Sequence, residues 1–97
     1  MGIWQDNLIK TISDIETDCQ LKGIDIETAY VVYAMWPNIP DDMAQNVRDH
    51  ILPQVLILHN NWFSVRFVCN KETATYMNLT CDIRLDKYRE WEYGRTI

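Results

Sequence analysis

Apolar and polar positions follow two different rhythms along this chain. In the first half, Trp4, Leu8, Ile12, Ile15 and Cys19 recur at spacings of three and four, with Ile9 beside them. That period predicts an amphipathic helix from Ile3 to about Lys22. On another face Asp6, Lys10, Asp14, Asp18 and Lys22 recur every four residues. Asp6 precedes Lys10 and Asp18 precedes Lys22, the favourable order for ion pairs one turn apart. Gly23 supplies a natural stop. A second helical stretch follows the breaker Pro37-Asn38-Ile39-Pro40, where Met43, Val47 and Ile51 recur every four residues. Asp41 and Asp42 suit the positive end of its dipole, and Pro53 ends it.

The second half has a period of two, which sends alternate side chains to opposite faces of a sheet. Val55-Leu56-Ile57-Leu58 reads as a first strand, and Asn60-Asn61 as a two-residue turn. That turn sets Leu58 opposite Phe63 and Leu56 opposite Val65. Phe63, Val65, Phe67 and Cys69 alternate with Ser64, Arg66 and Val68. Beyond Asn70–Thr75, Met77, Leu79, Cys81, Ile83 and Leu85 alternate with Asn78, Thr80, Asp82 and Arg84. The two runs predict a hairpin with one apolar face. Its loop must hold an odd number of residues, or a strand must carry a bulge, for Phe67 and Leu79 to share that face.

Residues 24–36 fit neither rhythm. Ala29 to Trp36 is one unbroken apolar run rich in β-formers, and periodicity alone does not separate a buried strand from a helix there. We read it as a helix from Ile26 to Trp36, capped by Asp25 and ended by Pro37. A buried strand is the alternative. The tail, Asp86 to Ile97, extends the last strand or docks Tyr88 and Trp91 as a short helix. The expected architecture is therefore α+β: about three N-terminal helices packed on one face of a C-terminal three-stranded antiparallel β-meander. At 97 residues the chain is one domain, 1–97.

Charge changes the picture of partners. The net charge is −5, and it is uneven: residues 1–49 hold nine acids and three bases, residues 50–97 five acids and six bases. An acidic balance disfavours direct binding of nucleic acid or of an anionic membrane. It suits a larger, basic protein. No basic region followed by an apolar run opens the sequence, and no apolar run reaches the length of a membrane span, so a cytoplasmic setting is expected. Cys19, Cys69 and Cys81 are an odd number without metal-ligand spacing, and are read as buried free thiols. Asn78-Leu79-Thr80 fits a glycosylation sequon but has no meaning without secretion.

Candidate chemistry is sparse. His50 and His59 are the only imidazoles, near a helix end and a turn. A nucleophile–base pair of His59 with Cys69 or Asp49 is conceivable, though no spacing demands it. Metal-ligand motifs and glycine-rich phosphate loops are absent, so neither cofactor nor catalysis is expected. A nucleic-acid surface could be assembled only from Arg66, Arg84, Arg89 and Arg95 with Trp62 and Tyr76, a weak footprint.

Protein binding remains, through one of two surfaces. The first is acidic: Asp14, Glu16, Asp18, Asp25, Glu27, Asp41, Asp42 and Asp49, able to steer a basic partner. The second is aromatic and basic: Trp62, Arg66, Tyr76, Arg84, Trp91, Tyr93 and Arg95, residue types enriched at interface hot spots. The expected function is a small non-catalytic module of the inhibitor, immunity, antitoxin or phage counter-defence kind, occluding a basic surface. The rival is a homo-oligomer assembled through an outer sheet face bearing Val55, Ile57, Trp62 and Val68.

Overall fold

The computed structural model describes residues 5–6 and 12–91. In chain order these form β1 (Gln5–Asp6), α1 (Ile12–Leu21), β2 (Tyr30–Met35), α2 (Asp41–Asn46), β3 (Leu56–Asn60), β4 (Ser64–Cys69), α3 (Lys71–Thr80) and β5 (Ile83–Lys87). A 3-10 turn at Trp36–Asn38 joins β2 to α2, and α2 runs on through a π-helical turn, Val47–Ile51, into a 3-10 turn at Leu52–Gln54. The chain turns helical again at 88–91.

All strand pairs are antiparallel, in the order β1-β3-β4-β2-β5. The class is α+β, as expected, but the arrangement is not a three-stranded meander. β2 is inserted between β4 and β5, which therefore run parallel to each other with α3 as the crossover between them. The helix read over Ile26–Trp36 is a central strand. Val32 and Ala34 point to one face and Val31 to the other, all buried. A strand covered on both faces has no polar alternation to display, hence the unbroken apolar run.

That cover is the second correction, since helices lie on both faces rather than one. On one side Ala44, Val47 and Ile51 from α2 and its π-turn, and Ala74 and Met77 from α3, pack on Val32, Ala34, Val65, Phe67 and Cys69. On the other, Ile15 and Cys19 of α1 pack with Ile24, Val31, Leu56, Leu58, Val68 and Tyr88. The proposed outer sheet face therefore does not exist as a surface: Val55 and Val68 are buried, each in a different core.

The third correction falls on the second hairpin. Residues 71–80 are helix, entered from Asn70 in an extended conformation. Ala74 and Met77 form the buried face, and the apparent alternation of Met77 with Leu79 is accidental, because Leu79 is 79% exposed. Ile83–Lys87 is a strand but pairs with β2. The first hairpin is real with a different register: Leu56 lies opposite Val68 and Ile57 opposite Phe67, with a bulge at Leu58 before His59 meets Arg66. The longer turn 61–63 replaces the two-residue Asn60-Asn61 turn.

Finally, the N-terminal helix is shorter than predicted among the described residues. Gln5 and Asp6 pair as a strand with Asn60 and His59, and helix begins at Ile12. Trp4, Leu8, Ile9 and Lys10 of the expected stripe, and Tyr93 and Arg95 of the tail, lie outside the described residues. Among the described residues no helix is long and apolar enough to cross a membrane.

Candidate functional site

The turn at 61–63 joins β3 to β4, and polar groups hold it on every side. Asn61 Oδ1 accepts from the backbone N–H of Phe63 at 2.9 Å and of Ser64 at 2.8 Å. Its backbone N–H donates to Ser64 O at 2.9 Å. These bonds fix the orientation of the amide, so Asn61 Nδ2 donates to His59 Nε2 at 2.9 Å. The imidazole proton then sits on Nδ1.

The end of β2 clamps the same turn. Trp36 donates its backbone N–H to Phe63 O at 2.8 Å and its indole N–H to Asn61 O at 3.1 Å. The Arg48 guanidinium, carried by the π-turn, lies 4.6 Å from the Trp36 ring centroid. With the polar groups of Asn61 and the backbone of Phe63 bonded, the side chains at the tip are left outside. Trp62 is 74% exposed and Phe63 37% exposed, their rings edge-on at 5.3 Å between centroids. Trp36, Arg48, Asn60, Asn61 and Trp62 line a shallow cleft of about 230 Å³ beside them. An exposed Trp on a pre-ordered turn offers contact area without a large ordering cost on binding.

One sheet row leads away from this tip. His59 lies opposite Arg66, Arg66 opposite Tyr33, and Tyr33 opposite Arg84. Arg66 stacks on Tyr33 at 5.0 Å. Arg66 and Arg84 thus share a face, as expected, although they sit on strands separated by β2. The other aromatics are elsewhere. Tyr76 accepts a 2.9 Å hydrogen bond from Asn46 Nδ2 and joins α3 to α2. Trp91 packs on Tyr88 at 5.7 Å against the α1 core.

The acidic residues form two sets on opposite layers. Asp14, Glu16 and Asp18 lie on α1, with Asp25 and Glu27 in the loop that follows it. Glu16 and Glu27 grip Arg89 at 3.2 and 2.6 Å. Asp41, Asp42 and Asp49 lie with α2 on the other layer, where both Asp49 oxygens accept from Gln45 Nε2. This second set follows directly on the Trp36 turn and flanks Arg48.

Two of the three thiols, Cys19 and Cys69, are buried as read from the sequence, whereas Cys81 is half-exposed. Cys69 is on the α2 side of the sheet and buried, whereas His59 is on the opposite face, level with Arg66. The conceived His59–Cys69 pair does not form. Burial pushes the Cys69 thiol up to about 12. Cys19 is raised to about 11 by burial, then by the Asp18 and Glu16 charges. Ser64 Oγ is 3.4 Å from His59 Nε2, but Ser64 is buried and that nitrogen already accepts from Asn61. Among the described residues no three His, Cys, Asp or Glu side chains gather as a metal site requires. A second cleft of about 300 Å³ at the start of α3 holds Lys71, Lys87 and Arg89 with Glu27 and Glu90, so its charges largely offset.

Trp36, Arg48, Phe63 and Tyr33 were not among the residues that sequence singled out for binding. Trp36 carried one signal, a large aromatic immediately before a proline turn. Compared with known proteins, the chain matches no family profile, no curated protein and no solved structure.

Proposed function

We propose that this chain is a small non-catalytic protein-binding module that docks through the Trp62–Phe63 tip. Asp41, Asp42 and Asp49 on the neighbouring helix steer a larger, basic partner. The observation that carries the reading is the exposure of Trp62 on a turn whose backbone is hydrogen-bonded on both sides of it, at Asn61, Phe63 and Ser64. Inserted into a pocket, Trp62 would set the dissociation rate, and the carboxylates would raise the association rate. Occlusion of a basic surface, as an inhibitor, immunity or counter-defence protein achieves it, is the mode of action that suits a net-acidic chain with an aromatic anchor. A reducing, cytoplasmic setting belongs to the same reading, supported by the free state of Cys19, Cys69 and Cys81.

The test is capture of the partner from the native host with wild-type protein and with Trp62→Ala, followed by kinetics on the purified pair. The expected result is a dissociation rate at least about tenfold faster for Trp62→Ala. Changing Asp41, Asp42 and Asp49 to Asn should slow association and flatten its dependence on salt. A partner that binds Trp62→Ala as tightly as wild type would exclude the tip.

A further inference from the structure

The sheet ends at β5 among the described residues, and the phase of its ladder shows what that edge offers. Tyr88 N–H donates to Ala29 O at 2.9 Å, which makes Tyr88 and Ala29 a hydrogen-bonded pair in the register that continues through Tyr30↔Lys87. Bonded and non-bonded pairs alternate along an antiparallel ladder. Arg84 and Asp86 therefore turn their backbone groups toward β2, while Ile83, Leu85 and Lys87 turn theirs outward.

We infer that this edge is a self-complementary docking site for a second copy of the chain, paired antiparallel about a two-fold axis at Leu85. In that register Leu85 meets Leu85 of the copy and Ile83 meets Lys87, so the outward-facing residues pair only with one another, giving about six backbone hydrogen bonds. Arg84 then falls opposite Asp86 of the copy, and Asp86 opposite its Arg84, both as non-bonded pairs whose side chains approach most closely. Within one chain Arg84 and Asp86 already lie on one face, 3.6 Å apart, with side-chain exposures of 76% and 40%. The two-fold converts that pair into a closed square of alternating charge.

Neighbouring registers are disfavoured. An axis at Arg84 or Asp86 sets like charges face to face, and a one-residue slip turns every side chain of the copy's strand to the wrong side of the sheet. An axis at Ile83 or Lys87 runs off the end of a five-residue strand. Ile83 and Leu85, half-buried under α3, would complete their burial against the copy. The product is an isologous dimer with one continuous sheet. It leaves the Trp62 tip free, so it stands independently of the proposed function.

The experiment is sedimentation of wild type, Arg84→Asp and Asp86→Arg, alone and as a mixture of the two variants, with circular dichroism to confirm folding. Concentrations should reach about 500 µM, since so short a contact implies a dissociation constant on the order of 10–100 µM. Wild type is expected to dimerise. Each single variant places like charges opposite each other and should weaken dimerisation about tenfold or more. Mixed together, the variants face each other with opposite charges at every position, and the heterodimer should return. A wild type that stays monomeric, a dimer indifferent to either reversal, or a mixture that fails to restore association would each overturn the inference.

Discussion

The indole N–H of Trp36 donates to the backbone carbonyl of Asn61 at 3.1 Å, tying the end of the central strand to a turn twenty-five positions later. A turn in a free hairpin frays. Here the Trp36 bonds and the Asn61 side chain hold its backbone at Asn61, Phe63 and Ser64, leaving Trp62 at the tip to meet a partner.

Replacing Asn61 tests that brace. Asn61→Ala removes the acceptor for the Phe63 and Ser64 N–H groups and the donor to His59. A loss of about 1–2 kcal/mol in unfolding free energy is expected, because polar groups at a half-buried site lose their partners. Measured by denaturant titration, it should be larger than the loss from Trp62→Ala, whose ring is mostly in water. Equal losses would mean that the brace contributes nothing.

Two substitutions on α3 distinguish the helix from the strand that the alternation suggested. Met77→Ala should cost about 2–5 kcal/mol, the usual range for emptying a fully packed site. Leu79→Ser should change stability by no more than about 0.5 kcal/mol, since that side chain faces water. A strand with both residues on one face would make the two costs similar.

The thiols predict an order of reactivity and a pH trend. In the folded protein at about pH 8, Cys81, half-exposed, should be alkylated first, while Cys19 and Cys69 wait for unfolding. Mass spectrometry of the alkylated peptides reads this directly. The folded-state values of about 11 for Cys19 and about 12 for Cys69 lie above the ordinary 9.0. The unfolded chain therefore releases these protons first as pH rises. Stability contributed by the two neutral thiols is complete below pH 9.0 and is lost on the way to about 11 and 12. The stability difference between wild type and Cys69→Ala should shift against wild type over that window.

Arg89 offers a further check on electrostatics. It bridges Glu16 on α1 to Glu27 in the following loop, at a site open enough for solvent to weaken the attraction. Arg89→Ala should cost about 0.5–1 kcal/mol at low ionic strength and less at high salt. Thermal melts at two salt concentrations measure both. A cost that did not respond to salt would assign the contribution of Arg89 to packing of its stem.

The fold was partly legible because some signals are local. Pro37 and Pro40 mark a turn wherever they stand, and Asp41-Asp42 before Met43, Val47 and Ile51 reads as a helix start in any context. The β3–β4 pair was legible, but the longer turn at 61–63, with the bulge at Leu58, gives it a different register. The helix at Lys71–Thr80 was hidden by the alternation of Met77, Leu79 and Cys81. The candidate site was less legible. Trp62 could be named, but whether it filled a core edge or stood in water depended on Trp36 and Arg48, both remote in the sequence.

By itself the sequence determined the α+β class, the acidic balance, the proline turn, the first hairpin and the burial of Cys19 and Cys69. These follow from side-chain chemistry and from neighbours a few residues apart. Only the tertiary structure decided that Tyr30–Met35 is a central strand, because its unbroken apolar run is explained by two helical layers contributed by distant segments. It also decided the strand order, which places β5 at an edge of the sheet among the described residues. Strand order depends on long-range pairing, and the period of a single strand carries no record of its neighbours.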